Sequence, residues 1–427
     1  MDFELDPEAA ALVGAVIPVL DAEATTALIR GAWPASSGAA AGGVEQVRKV
    51  WATLADIGLA GALVPDGADG LGLTISDVVP LLERVGHAGL PVPAVETVAF
   101  AAPLLAAAGH PALPDLVAGR ALVAVATRTP SGDIVVPHGQ QADLIILPVP
   151  APPGATSSGS ARSSGSSASA SASASASNVS TGSLASDAFG GLPHGTARLR
   201  IYRADELELA PVGTVDGARA LARLTASPDP LAGAVLTDDP DAARLAWWRA
   251  AVGTSAVLVG LAARMLTITV DYVKTRHQFG VPVGSFQAVK HACASAHLAT
   301  EFARPAVLAA GWQLAHSPDD HTAARDATLA ARDATLAARD AISVAKVLAA
   351  ESARLAARVA IQCHGAIAYT TEYDLHLFAK RAWALIPAFG DPVFHRAQLA
   401  KSLGLRSAAP DAAPTDLVPP FGRETSR

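Results

Sequence analysis

The chain has 427 residues and a mass of 43.1 kDa, with 51% hydrophobic and only 17% charged residues, which supplies apolar material for two or three packed units and excludes a wholly disordered polymer. Aromatics make up 5% and Met only 2 residues while Ala is over-represented, so the apolar fraction consists largely of small methyl groups suited to close helix packing. The net charge of −7, a pI near 5.9 and scattered Lys and Arg argue against a nucleic-acid backbone as partner and favour a small or acyl-type ligand. Cys293 and Cys363 each lack a second Cys or a ligand-spaced His pair nearby in sequence, so no disulfide framework or structural zinc site is expected. The twelve His are dispersed, giving no metal site, and a reducing cytoplasm fits. The acidic start MDFELDPEAA lacks the basic and apolar runs of a secretory signal, and the most apolar later stretches carry charges, so a protein outside the membrane is expected.

Residues 1–118 read as a helical domain. Apolar residues recur at three- and four-residue spacing in Ala9 to Leu28, Val44 to Leu59, Ile75 to Val85 and Ala94 to Ala107. The Gly/Asp turn Pro65 to Gly72 precedes a helix opening near Thr74, and Gly89 to Pro93 breaks the chain again. Residues 119–238 change to short β-branched runs, Leu122 to Val125, Asp143 to Leu147 and Arg198 to Tyr202, which predict a small β domain. The Ser/Ala/Gly tract 151–183 inside it buries too little to offset its ordering entropy and is expected to be a disordered loop. Residues 239–405 are helical again, in longer runs from Ala242 to Thr275, Gly284 to Ala315, Thr322 to Val359 and Leu375 to Ala384. A seven-residue repeat, AARDATL, occurs twice from Ala323 to Leu336, and a third copy begins at Ala337. It lengthens a helix while keeping Ala324, Ala327, Ala331, Ala334, Ala338 and Ala341 on one face. Residues 406–427 form a Pro-rich tail expected to fray. The predicted fold is therefore mainly α with a small β domain.

Two segments are richer in polar and special residues than their surroundings explain. Thr275 to His291 (TRHQFGVPVGSFQAVKH) ends one long helix, turns, and opens another, and an Arg at such a corner can pair bidentately with a pyrophosphate. Ile361 to Trp383 (IQCHGAIAYTTEYDLHLFAKRAW) ends a helix at His364-Gly365 and crosses to the next, which Thr371 or Asp374 is placed to cap.

Together these segments resemble the acyl-CoA dehydrogenase family of flavoproteins, whose paired signature is an R-x-Q/T-F-G corner followed by S-F-Q-A-x-x-H and, some eighty residues on, Q-x-H-G-G-x-G-Y/F-T-x-E-Y/H-x-L-H. VPDGADGLGLTISDVVPLLERVGHAGLPVPAVET is similar to the family's P-E-x-x-G-G-x-G-L turn and following helix. The resemblance implies an N-terminal helical domain, a middle β domain and a C-terminal four-helix bundle, with FAD and an acyl-CoA thioester between them. It implies removal of the α-proton by a carboxylate and of the β-hydride to the flavin, and electron-transferring flavoprotein as acceptor. It also implies that Arg276, Phe279, Gln287, Gln362 and Gly365 grip the adenosine and pyrophosphate end of an FAD across a subunit interface.

The chain departs from the family in its own half of the site. Where relatives have T-E-P-x-x-G-S-D and W-I-T/S-N, it offers Thr127 to Asp133 and passes almost directly to Gln141 to Ile145. The family base lies in Y-E-G-T; here Ala388-Phe389-Gly390-Asp391 puts Phe389 where Glu stands, and the alternative position on the preceding long helix is Ala250. Ala366 and Ala368 replace family glycines. Such a chain resembles the base-lacking subunit of heteromeric acyl-CoA dehydrogenases, often acting on bulky thioesters such as steroid side chains. The expectation is a heterotetramer whose related partner supplies the base. A self-sufficient enzyme using Asp391 or Glu372, with Asp391 doubling as a helix N-cap, and a non-catalytic scaffold are the alternatives.

Overall fold

The computed structural model describes residues 5–33, 40–129, 131–149, 198–226, 233–317 and 329–405. The Ser/Ala tract, the first part of the heptad repeat and the C-terminal tail lie outside the described residues.

The N-terminal region packs α1 (Pro7–Glu23), α2 (Thr26–Gly31), α3 (Ala40–Asp56) and α4 (Ile75–Ala88), followed by a π-helical turn (Glu96–Ala101) leading into α5 (Ala102–Ala107) and α6 (Leu113–Val117). Local chemistry sets the boundaries. Asp6 caps α1 by accepting from Glu8 N, with Pro at the first helical position, and Thr74 with Asp77 forms a capping box on α4. The single helix expected from Ala9 to Leu28 is broken at Ala24, because Thr25 starts a second one by accepting from Leu28 N.

The middle region holds two four-stranded sheets. β1 (Val123–Val125), β4 (Leu144–Val149), β5 (Arg198–Arg203) and β8 (Ala234–Thr237) lie in that order, β1 parallel to β4 and the other pairs antiparallel. β2 (Thr127–Arg128), β3 (Ile134–Val136), β7 (Ala222–Leu224) and β6 (Leu209–Pro211) form the second, antiparallel throughout. The three runs anticipated as strands are the three neighbours β1, β4 and β5. Between the sheets sits a small core of Ala124, Val136, Ile145, Leu147, Tyr202 and Leu207.

The C-terminal bundle is built on α7 (Pro240–Thr275), α8 (Gln287–Ala315) and α9 (Leu329–His364), completed by α10 (Leu375–Leu385) and α11 (Pro392–Ser402). A short hairpin, β9 (His277–Gln278) and β10 (Val281–Pro282), joins α7 to α8. Along α9, Ala338 of the repeat is buried and Ala334 and Ala341 are half-buried, so the duplicated heptads keep a partial core face. α7 is long and apolar enough to cross a membrane, contrary to the reading of its charges, yet 78% of its most apolar window is buried inside the protein. It is the central helix, covered on several sides by α4, α8, α9 and α10.

α4 and α7 cross at a pair of glycines. A Cβ on Gly260 would stand 2.0 Å from Glu83 O and 2.6 Å from His87 N, and one on Gly86 would stand 2.3 Å from Val257 O. Backbone cannot yield as a side-chain tip can, so these positions set how closely the N-terminal region docks on the bundle. We predict that Gly260→Ala lowers stability by roughly 1–3 kcal/mol despite Ala's better helix propensity. Gly14→Ala, on exposed α1 with open space around the new methyl, raises it by up to about 1 kcal/mol. Urea unfolding midpoints of the two variants check the pair.

Candidate functional site

The two motif segments meet at one end of the bundle, where α7 ends, α8 begins and α9 ends. Tyr272 of α7 stacks on His364 of α9 with ring centroids 4.3 Å apart, and Tyr373 closes on His364 at 4.9 Å. His364 Nδ1–H donates to Ala360 O at 2.7 Å, which leaves Nε2 to accept from the Tyr373 hydroxyl at 3.1 Å. Burial pushes the His364 pKa down and so favours the neutral ring these bonds require.

On this frame the corner residues face outward. Phe279 and Gly280 occupy the two turn positions of the hairpin with φ of +54° and +80°, the left-handed backbone a two-residue hairpin needs. Gly meets that requirement without strain; a Phe there is held against its preference, and its ring is 91% exposed. Arg276, Gln287 and Gln362 are exposed, and among the described residues none of their side-chain polar atoms has a partner. Gly365 has φ +67° and open space where a Cβ would be. Tyr369, 81% exposed, and half-exposed Phe286 and Ile367 complete an apolar surface around these donors. All five residues anticipated as cofactor contacts thus lie on the elements of one end of the bundle. A guanidinium and two amides as donors, beside an exposed ring and a bare backbone, fit the pyrophosphate and flat ring of a dinucleotide. Ala366 is exposed and Ala368 buried, so only the former presents its methyl to this surface.

The second motif's loop is held by a residue that sequence inspection passed over. Arg30 of α2 donates from Nε to Asp374 Oδ1 at 2.8 Å, from Nη2 to Glu372 O at 3.0 Å, and to Thr371 O. Asp374 does occupy the N-cap position of α10, but it makes no capping bond because Arg30 engages its carboxylate. Glu372 points to solvent, and hydrogen bonds from its own backbone and the Thr370 hydroxyl hold its pKa below the usual value.

The position expected from the sequence to correspond to the family's base lies elsewhere. Phe389 (φ +52°) and Gly390 (φ +93°) form a second Phe-Gly turn, and the Phe389 ring packs 6.1 Å from that of Phe100. The turn is clamped from two sides. Fully buried Lys346 of α9 donates to Ile386 O at 2.7 Å and Gly390 O at 2.9 Å, and His395 Nε2–H donates to Phe389 O at 3.1 Å while its Nδ1 accepts from Ser343 at 3.2 Å. Burial pushes Lys346 down to about 7, opposed by the Asp391 carboxylate; burial first, then the Lys346 charge, pushes His395 down to about 3. Asp391 is the N-cap of α11, accepting from Phe394 N at 2.7 Å ahead of Pro392. Ala250, the alternative position, is buried in the core and offers no carboxylate. Lys346 and His364 are eighteen residues apart on α9, about 27 Å along its axis, so the Glu372 loop and the Phe389 turn stand at separate levels of the bundle. Glu372 therefore stands apart from the Phe389 turn within this chain.

The middle-region segment also closes on itself. β2 and β3 form a hairpin in which Thr129 N donates to Asp133 O, the Thr129 and Ser131 hydroxyls lie 2.8 Å apart, and Ser131 donates to the Asp133 carboxylate at 2.8 Å. Its polar groups thus satisfy one another.

Comparison with known proteins agrees with this frame. Residues 242–404 match the acyl-CoA dehydrogenase C-terminal domain. The acyl-CoA dehydrogenase IpdE2 of Mycobacterium tuberculosis is 30% identical over 337 residues, covering 78% of this chain and 80% of that protein. Among solved structures, the ChsE4-ChsE5 complex from Mycobacterium tuberculosis superposes with a TM-score of 0.68 at 19% identity, covering 96% of this chain and 100% of that one. PigA with FAD and proline does so at 0.67 and 17%, covering 95% and 100%. The two structures establish likeness of fold.

The clamp carries a pH signature. The neutral His395 ring has a folded pKa far below its unfolded value near 6.5, so the unfolded chain binds the extra proton between these limits. We predict that the His395 contribution to stability is full above pH ~6.5 and falls on acidification toward pH ~3 by at most about 1.4 kcal/mol per unit. His395→Gln should flatten part of that slope in Tm measured against pH.

Proposed function

We propose that this chain, which belongs to the acyl-CoA dehydrogenase family, is one subunit of a heteromeric FAD-dependent acyl-CoA dehydrogenase. It holds the adenosine and pyrophosphate end of an FAD across a subunit interface while a related partner supplies the catalytic base. The observation that carries the reading is Phe389: a phenyl ring packed on Phe100 stands where the family has its carboxylate, and nearby Asp391 is engaged in a helix cap. A phenyl ring accepts no proton, and a positioned base is worth roughly 10²–10⁴ in rate.

In this assembly Arg276 pairs with the pyrophosphate, Phe279 covers the adenosine, Gln287 and Gln362 donate to the nucleotide's oxygens, and Gly365 leaves room for it. When bound, FAD accepts the hydride from the acyl β-carbon. The Tyr272–His364–Tyr373 stack and the Arg30 clamp orient the gripping loop. Phe279, Phe286 and Tyr369 supply apolar surface for the partner. The fold's likeness to one chain of a two-protein complex supports the heteromeric reading. A bulky acyl-CoA substrate, electron-transferring flavoprotein as acceptor and a cytoplasmic location complete the proposal from family expectation.

Three measurements test it. Purified alone, the chain should retain little flavin absorbance and form no enoyl-CoA; paired with a relative carrying an intact Y-E-G-T, it should recover both. Stoichiometric FAD and full turnover by the lone chain would refute the division. In the reconstituted pair, Arg276→Ala should weaken FAD binding roughly 10–100-fold, the value of a charge-assisted hydrogen bond; unaltered occupancy would mark the chain as scaffold. Asp391→Asn, which keeps a capping side chain, should leave the pair's turnover unchanged, and a collapse of turnover would assign the base to Asp391.

A further inference from the structure

Cys293 and Cys363 are seventy residues apart in sequence, but the fold sets them side by side. α8 buries a row formed by Ala296, Thr300, Ala303, Val307 and Ala310; α9, read backwards, buries Ala360, Ala356, Ala353, Ala349 and Ala345. Both rows keep helical three-and-four spacing, and the helices run in opposite directions. Cys293 extends the first row by three residues toward the start of α8, and Cys363 extends the second by three toward the end of α9. Both therefore stand at the same end of one seam, near enough that the charge of one thiol is felt by the other. Alanine along the seam lets the helix axes approach closely, the condition under which two Cβ atoms come within disulfide reach. Each cysteine is partly exposed, open to a small oxidant yet packed against the core.

We propose that Cys293 and Cys363 are a redox modification site, a thiol pair that closes reversibly into an intrachain disulfide and pins together the two helices carrying the cofactor-gripping motifs. The oxidant is a low-molecular-weight disulfide such as oxidised glutathione. One cysteine thiolate attacks a glutathione sulfur and releases one reduced glutathione; the second displaces the other from the mixed disulfide. One S–S bond is broken and one formed, and the two electrons and two protons leave on two glutathione molecules. Burial, and then the neighbouring thiol, push the Cys363 pKa up to about 11, so its thiolate is scarce at neutral pH. Closure quickens as pH rises, because the attacking species is the thiolate. Gln362 adjoins Cys363 and Gln287 opens the helix of Cys293, so the bridge spans both halves of the grip. That consequence rests on the function proposed above; the bridge itself does not.

The purified full chain, incubated with oxidised glutathione, should lose two hydrogens by intact mass and yield a Cys293–Cys363 cross-linked peptide in a non-reducing digest. Dithiothreitol should reverse the change, and Cys293→Ser and Cys363→Ser should each abolish it. Stable glutathione adducts on both cysteines, a cross-link between chains, or two thiols that stay reduced under this treatment would each overturn the proposal. FAD retention by the reconstituted pair, measured before and after oxidation, separates the two readings. A pair that never holds FAD counts against the proposed function and leaves the bridge standing.

Discussion

Four buried charges tie the three parts of the molecule together. Arg381 of α10 engages the Asp216 carboxylate of the β region and donates to Leu90 O of the N-terminal region at 3.1 Å. Arg219 of the β region donates to Ala384 O of α10 at 3.0 Å and faces Glu96 of the π-helical turn at 3.5 Å. Charges taken out of water cost several kcal/mol each unless paired and hydrogen-bonded, so this cluster is favourable only when all three regions are in place together. It acts as a registration device more than as a source of net stability. Buried His138, kept neutral chiefly by desolvation and also by the two arginines, lies beside it without adding a third positive charge.

Registration at this junction propagates directly to the candidate site. Ala384 is one residue from the end of α10, and the next residues form the turn that Lys346 and His395 hold. At the other end of the bundle the same logic uses Arg30, which reaches from α2 to the loop of the second motif. Both turns that bear on function are thus fixed by cationic or imidazole donors to backbone carbonyls. The alanine-lined helices supply the rigid spacing between them. Small side chains permit that spacing, since bulkier ones would push apart α8 and α9 and separate the hairpin from the loop beside it.

Much of this was legible in the sequence where the signal is local. Helix starts at Thr74 and Asp391 follow from side chains that cap within three residues, and β1, β4 and β5 from short β-branched runs. Strands of two to four residues such as β2, β3 and β7 carry no period long enough to read, and their pairing across the middle region is tertiary. The clamps were hidden for a different reason. Arg30 and Asp374 lie 344 residues apart, and a lysine that donates to carbonyls leaves no partner type to search for. Asp374 has the right residue type for a cap, but a stronger charged partner takes its carboxylate. The two cysteines looked isolated because sequence distance says nothing about which ends of two antiparallel helices coincide.

The two Phe-Gly turns show why the fold does not depend on a carboxylate at position 389. In each, a phenylalanine occupies left-handed backbone beside a glycine, one turn exposing its ring to solvent and the other packing it on Phe100. At the second turn Lys346 and His395 grip carbonyl oxygens of the main chain, so the scaffold that would aim a side chain at position 389 does not depend on what that side chain is. A carboxylate there would add charge to a buried neighbourhood already containing Lys346 and Asp391, whereas a phenyl ring adds apolar contact with Phe100. Exchanging Glu for Phe therefore removes proton-accepting chemistry while preserving the architecture that presents it. That is the physical condition under which two related chains can divide one reaction, one keeping the acid side chain and the other keeping the shape.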